Sequence, residues 1–266
     1  MSRTFLAILH YDGTGFVGWQ RQPAGRSVQA EFERVLERIF SHRTVAHAAG
    51  RTDAGVHATG QGVSFSAPET WSERAVHRAL NALLPRDCWV QAVYPMNPGF
   101  HARKSALSRR YRYDVGLDPT SASPFRRPFE WSLQRPLDLN LLQAAAAQFL
   151  GEHDFRAFAA KSEKQHYRCY LSVAEWELRP EETGFSFHVE GNRFLHHMVR
   201  MLVGTMIDVG LGRRPLHDIA DLLGREDNSQ TSPPAPAHGL YFVAANYAAE
   251  LYQESMGLTG AATHPV

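Results

Sequence analysis

The chain has 266 residues, 44% hydrophobic and 21% charged, the balance of an ordinary soluble globular protein rather than a disordered one. At about 150 residues per domain this length suits one large or two small domains. A formal net charge of +1 does not by itself point to a nucleic-acid partner, and two distant cysteines, Cys88 and Cys169, exclude a disulfide scaffold and a cysteine-based zinc site.

Phe5 to Leu9 reads as a strand. This apolar run is too short for a signal sequence or a membrane span, so a cytoplasmic protein without membrane contact is expected. A glycine-rich turn follows, then a helix from Val28 to Phe40, capped by Ser27, with Val28, Phe32, Val35, Leu36 and Ile39 on one face. Thr44 to Ala48 and Gly62 to Ser66 read as strands, the second weakened by Gly62. A helix from Glu73 to Leu84 stops at Pro85, and Cys88 to Tyr94 closes a βαββαβ order.

The same order recurs downstream: a strand at 108–115, a helix from Leu139 to Leu150 capped by Asp138, strands at 170–178 and 184–190, a helix from Arg193 to Val209, a short helix from Leu216 to Leu223, and a strand from Leu240 to Asn246. The expected class is α+β: two ferredoxin-like halves, residues 1–104 and 105–248, with helices packed on a largely antiparallel sheet. Residues 232–239, SPPAPAHG, read as an ordered loop, and 249–266 as a frayed tail.

Two features carry chemistry. Asp53 stands in GRTDAGVHA, residues 50–58, flanked by Gly50 and Gly55 with Arg51 two positions before it. Alone, this string also suits a turn that a carboxylate stabilises through the backbone. The helix expected from Arg193 is apolar nearly all round and so buried, yet Arg193, His197, Arg200 and Gly204 would form one stripe along it. A buried Arg200 needs an anionic partner, and Asp53 is the candidate; a purely structural ion pair between the halves meets the same need. Gly204 would let another backbone or a substrate come close.

The cations number 28, only three of them lysine, a usage that suits phosphate and base contacts and equally a GC-rich genome. Arg103, Lys104, Arg109, Arg110 and Arg112 cluster within ten residues, interleaved with Tyr111 and Tyr113 as candidate stacking platforms. The histidines do not assemble a metal motif: HExxH is absent, and His196 and His197, adjacent on the expected helix, would point about 100° apart. No PCxxC supports a zinc deaminase, and GTGFVG at 13–18 lacks the Lys-Ser/Thr ending of a P-loop.

GRTDAGVHA, read with FHAR at 100–103, SRRYRY at 108–113, HHMVR at 196–200 and PAPAHGLYF at 234–242, closely resembles the tRNA pseudouridine synthase A family from about Phe5 to Tyr247. Gly62, where the family commonly has a branched residue, is a small departure. The resemblance implies a pseudouridine-synthase fold with the active site between the halves, and an isomerase that converts uridine to pseudouridine at tRNA positions 38 to 40, in the anticodon stem-loop. It also implies a homodimer that needs neither cofactor nor metal. Asp53 is then the nucleophile, Arg200 its ion-pair partner, which favours the charged carboxylate, and Tyr111 the residue against the target base. Whether the carboxylate adds to sugar or base, or first removes a ribose proton, stays open. Arg51 is expected to hold the flipped nucleotide or fill its space, Arg109 and Arg110 to bind tRNA, and His57 to stabilise its loop. A catalytically silent RNA-binding protein of the same fold is the alternative.

Overall fold

The computed structural model describes residues 2–161 and 166–253. Strand β1 (Ser2–Tyr11) leads through a 3-10 turn at Gly13–Gly15, capped by Asp12, to helix α1 (Val28–Phe40). Ser27 accepts the Ala30 amide at the start of α1, and Ser41 ends it in the left-handed conformation. The buried stripe is Val28, Phe32, Val35, Leu36 and Phe40, and Phe32 meets Phe65 at 5.7 Å between ring centres. Each such side chain contributes about 1.5–3 kcal/mol when fully buried. Strands β2 (His47–Ala48) and β3 (His57–Pro68) flank the Asp53 loop. β3 is longer than the sequence suggested and runs through Gly62, where a Cβ would lie 2.6 Å from the Tyr247 hydroxyl. Helix α2 (Glu73–Leu83), capped by Ser72, and strand β4 (Cys88–Met96) complete the first half.

Strand β5 (Ser108–Gly116) opens the second half, followed by β6 (Trp131–Ser132), helix α3 (Leu139–Ala147) and strands β7 (Gly151–Asp154), β8 (Arg168–Leu178) and β9 (Gly184–Gly191). Helices α4 (Met198–Gly210) and α5 (Asp218–Leu223) and strand β10 (Leu240–Asn246) end it. β6 and β7, of two and four residues, are too short to show a period in sequence. The ten strands among the described residues form one sheet, with path β4-β1-β3-β10-β5-β9-β8-β7 and β2 and β6 beside β3 and β5. Pairing is antiparallel except at β3–β10 and β5–β6. The β3–β10 junction is where the two expected halves meet, with Tyr241 opposite His57.

The first residues of the segment expected to fray, 249–253, are in contact with the sheet edge. Leu251 and Gln253 bond the edge of β4 through Asn97 and Pro95, and Tyr252 packs edge-on against Tyr94. Residues 254–266 lie outside the described residues. No helix among the described residues is long and apolar enough to cross a membrane.

Candidate active site

Helix α4 starts five residues later than its periodicity suggested. The Asn192 side chain accepts the Tyr170 amide, Phe194 packs edge-on against Tyr111 at 4.9 Å, and His197 turns the chain at φ 63° before Met198 begins the helix. Arg193 and His197 therefore leave the expected stripe, and only Arg200 and Gly204 remain on the helix. A Cβ at Gly204 would lie 2.1 Å from the Pro233 carbonyl oxygen, so the neighbour that needs this glycine is the backbone of the 232–239 loop.

That loop fixes Arg200. The Arg200 carbonyl accepts the Ala235 amide at 2.9 Å, its Nε donates to the Ala235 carbonyl at 2.7 Å, and Nη1 donates to Oδ2 of Asp53 at 2.9 Å. The expected pair thus forms across 147 residues of chain, with side chains 16% and 22% exposed.

The Asp53 loop is held from below. The Thr52 carbonyl accepts the Trp19 amide, the Thr52 hydroxyl bonds the buried Tyr11 hydroxyl at 2.7 Å, and Gln61 bonds the Gly50 carbonyl at 2.8 Å. Gly18 permits this approach: at φ +105°, a Cβ there would sit 2.7 Å from the Thr52 carbonyl oxygen. His57 is the loop-stabilising residue expected. Its Nδ1 accepts the Gly13 amide at 2.9 Å, so its Nε2–H donates to the Pro128 carbonyl at 3.0 Å. Burial lowers its pKa, only partly offset by Asp12, and the ring stays neutral.

Asp53 faces a cleft of about 1110 Å³. Among the described residues Asp53 is the only carboxylate lining it, against Arg51, Arg103, Lys104, Arg109, Arg193 and Arg200 and the histidines 47, 101, 196 and 197. Val17, Trp19, Gln20 and Gln22, which follow the first glycine turn, form one wall. Such a cleft concentrates a polyanion around one carboxylate.

Strand alternation sorts the basic run. Arg109, Tyr111 and Tyr113 share one face of β5, and Arg110 and Arg112 the other. Tyr111 lines the cleft between Phe194 and Phe242, its phenol pushed up in pKa by burial and so a hydrogen-bond donor at neutral pH. Tyr113 is fully buried and donates to the Pro236 carbonyl at 2.8 Å, so it offers no stacking platform. Arg110 is turned from the cleft to Glu190, 2.9 Å away. Arg109 lines the cleft, but its guanidinium donates to the carbonyls of Ala49, Arg103, Ala106 and Asn192. That places it as a clamp between β5 and the FHAR segment. The Arg51, Arg103 and Lys104 side chains are exposed at the cleft and make no hydrogen bond or ion pair among the described residues.

The sequence reading missed the histidines. His47 and His101 stack at 4.5 Å on the cleft rim. His196 and His197, expected to diverge on a helix, lie in the loop before it with ring centres 3.9 Å apart, and both approach Asp53. The positive φ of His197 produces this convergence, and no local residue pattern announces it.

Residues 7–103 and 145–248 match the family model described as tRNA pseudouridine synthase. The chain is 42% identical over 238 residues to the tRNA pseudouridine synthase A of Myxococcus xanthus, covering 87% of each protein. It is 41% identical over 253 residues to that of Thermus thermophilus, covering 93% of this chain and 98% of the relative. With that of Geobacter sp. strain M21 the identity is 39% over 248 residues, covering 92% and 99%. The α+β fold is thus that of a pseudouridine synthase. The chain belongs to the tRNA pseudouridine synthase family and forms pseudouridine in tRNA.

Proposed function

We propose that this protein is an isomerase acting on uridines of the tRNA anticodon stem-loop, with Asp53 as nucleophile, Arg200 as its charge partner and Tyr111 against the target base. The observation that carries this reading is Asp53 itself, the lone carboxylate of a cationic cleft, bonded to Arg200 at 2.9 Å. The N1–C1′ bond of the uridine breaks, the uracil turns, and a C5–C1′ bond replaces it, while C5 loses a proton and N1 gains one. Atoms and electrons balance without an oxidant, so the residues needed are a nucleophile and groups that hold the base.

Arg200 holds the carboxylate charged and oriented, and Tyr111 packs on the base with its phenol as donor. Arg51, exposed two residues before Asp53, enters the space left by the flipped nucleotide. Arg103 and Lys104, rather than Arg110, meet phosphates. Residues 1–104 and 105–248 act as the two walls of the cleft, and a cytoplasmic homodimer is part of the same proposal, checked by light scattering.

The test is tritium release from unmodified tRNA carrying tritium at uracil C5, with sequencing of the modified position. Release that persists with chelator and maps to the anticodon stem-loop supports the reading. Tight tRNA binding without release from any tRNA would instead mark a silent RNA-binding protein.

A further inference from the structure

Around Asp53 two imidazoles present nitrogen atoms at distances that hydrogen bonding does not explain. Nε2 of His196 stands 3.5 Å from Oδ1 of Asp53, and Nε2 of His197 stands 3.4 Å from Oδ2. Good N–H···O bonds are about 2.7–3.2 Å, so both contacts are long. Taken singly, each is close to the spacing of an imidazole nitrogen and a carboxylate oxygen that share one metal ion. A tetrahedral zinc ion bound by imidazole nitrogen and carboxylate oxygen at about 2.0–2.2 Å sets neighbouring donor atoms about 3.3–3.5 Å apart. One ligand atom from each of the three residues lies within 4.8 Å of the others, at the cleft surface where an ion can enter.

We propose that Asp53, His196 and His197 form a zinc site that caps the nucleophile, so that Zn²⁺ and the target uridine compete for one carboxylate. Three protein ligands leave a fourth position for water, the open form of a zinc site. Arg200 opposes the ion. Its guanidinium occupies Oδ2 at 2.9 Å and adds a like charge, which keeps the site weaker than a closed structural one. Two rival sites are identifiable. The His47–His101 pair has two imidazoles but no carboxylate in the cleft beside it. Cys88 and Cys169 are buried, with thiols pushed up to about 12 and about 11, and make poor ligands.

Binding is tested without RNA; inhibition alone rests on the function proposed above. Metal-free full-length protein is titrated with Co²⁺, whose visible band reports tetrahedral coordination, and with Zn²⁺ against a chromophoric chelator. The expected result is one ion per site, with affinity at least tenfold lower in His196→Ala, His197→Asn and Asp53→Asn. Asn tolerates the left-handed backbone at 197, and His196 is exposed, so these variants keep the loop. Arg200→Met should bind zinc several-fold more tightly while losing activity, an opposite movement that a merely structural arginine would not give. In the tritium assay Zn²⁺ should stop release, chelator should restore it, and more tRNA should raise the Zn²⁺ needed. Unchanged zinc affinity in the His196→Ala/His197→Asn double variant, or its loss only in His47→Ala/His101→Asn, would overturn the proposal. Wild-type protein that releases no tritium without zinc would overturn the isomerase reading and leave the metal titrations to decide the site.

Discussion

Replacing Arg200 by methionine removes a charge from a site where both partners are mostly enclosed. The Nη1 to Oδ2 distance is 2.9 Å, which puts the charge centres about 4 Å apart, an attraction of about 4 kcal/mol at an effective dielectric of 20. The side chains are 16% and 22% exposed and face an open cleft, so water reduces this to a coupling of about 1–3 kcal/mol. Arg200→Met also loses the Nε bond to the Ala235 carbonyl, which anchors the 232–239 loop. Arg200→Lys restores charge without the fork and separates the two effects. Single-turnover tritium release should fall about 100- to 1000-fold in Arg200→Met, about 3–4 kcal/mol of transition-state stabilisation, and less in Arg200→Lys. Denaturant unfolding of the single variants and of Arg200→Met/Asp53→Asn then closes a double-mutant cycle. A coupling near zero, or wild-type turnover in Arg200→Met, would refute the partnership.

Three further outcomes are expected. The slope of log tRNA affinity against log salt should shrink by about 1 to 2 in Arg103→Ala/Lys104→Ala, and Arg110→Ala should leave it unchanged, as counterion release at cleft phosphates requires. Arg109→Ala should lower denaturation stability by at least about 2 kcal/mol, because carbonyls of Ala49, Arg103, Ala106 and Asn192 lose their donor. Burial lowers the pKa of His57 below its ordinary 6.5, so the unfolded chain binds the extra proton; melting temperature should fall as pH drops below about 6.5, and less steeply in His57→Asn.

Some of this was legible early, for stated reasons. α1 announced its start through Ser27 and its buried face through 3.6-residue spacing, and Pro85 marked the end of α2, whose cap Ser72 emerged only in the structure. The start of α4 was not legible, because Phe194 and Leu195 stand four residues before Met198 and Val199, a helical spacing that hides the change of backbone between them. Asp53 and Arg200 were legible as partners because a buried arginine must find an anion. The roles of Arg109 and Arg110 were partly legible: on a strand from 108 to 115, alternation already forbids Arg110 from sharing a face with Tyr111. Which carbonyls would claim Arg109 depends on segments far along the chain, which no local pattern encodes.

The continuity of the sheet explains how an ion pair so far apart in sequence can be exact enough for chemistry. Asp53 sits on the loop entering β3, and Arg200 is tied to the loop that enters β10. β3 and β10 are hydrogen-bonded parallel neighbours, and His57 at the start of β3 stacks on Tyr241 at the start of β10, ring centres 5.0 Å apart. Carboxylate and guanidinium are thus referred to one junction, although they stand 147 residues apart in the chain. A loosened junction would move both loops together before it changed the 2.9 Å contact between them. Substitutions at His57 should therefore cost stability before turnover, whereas those at Arg200 should cost turnover before stability.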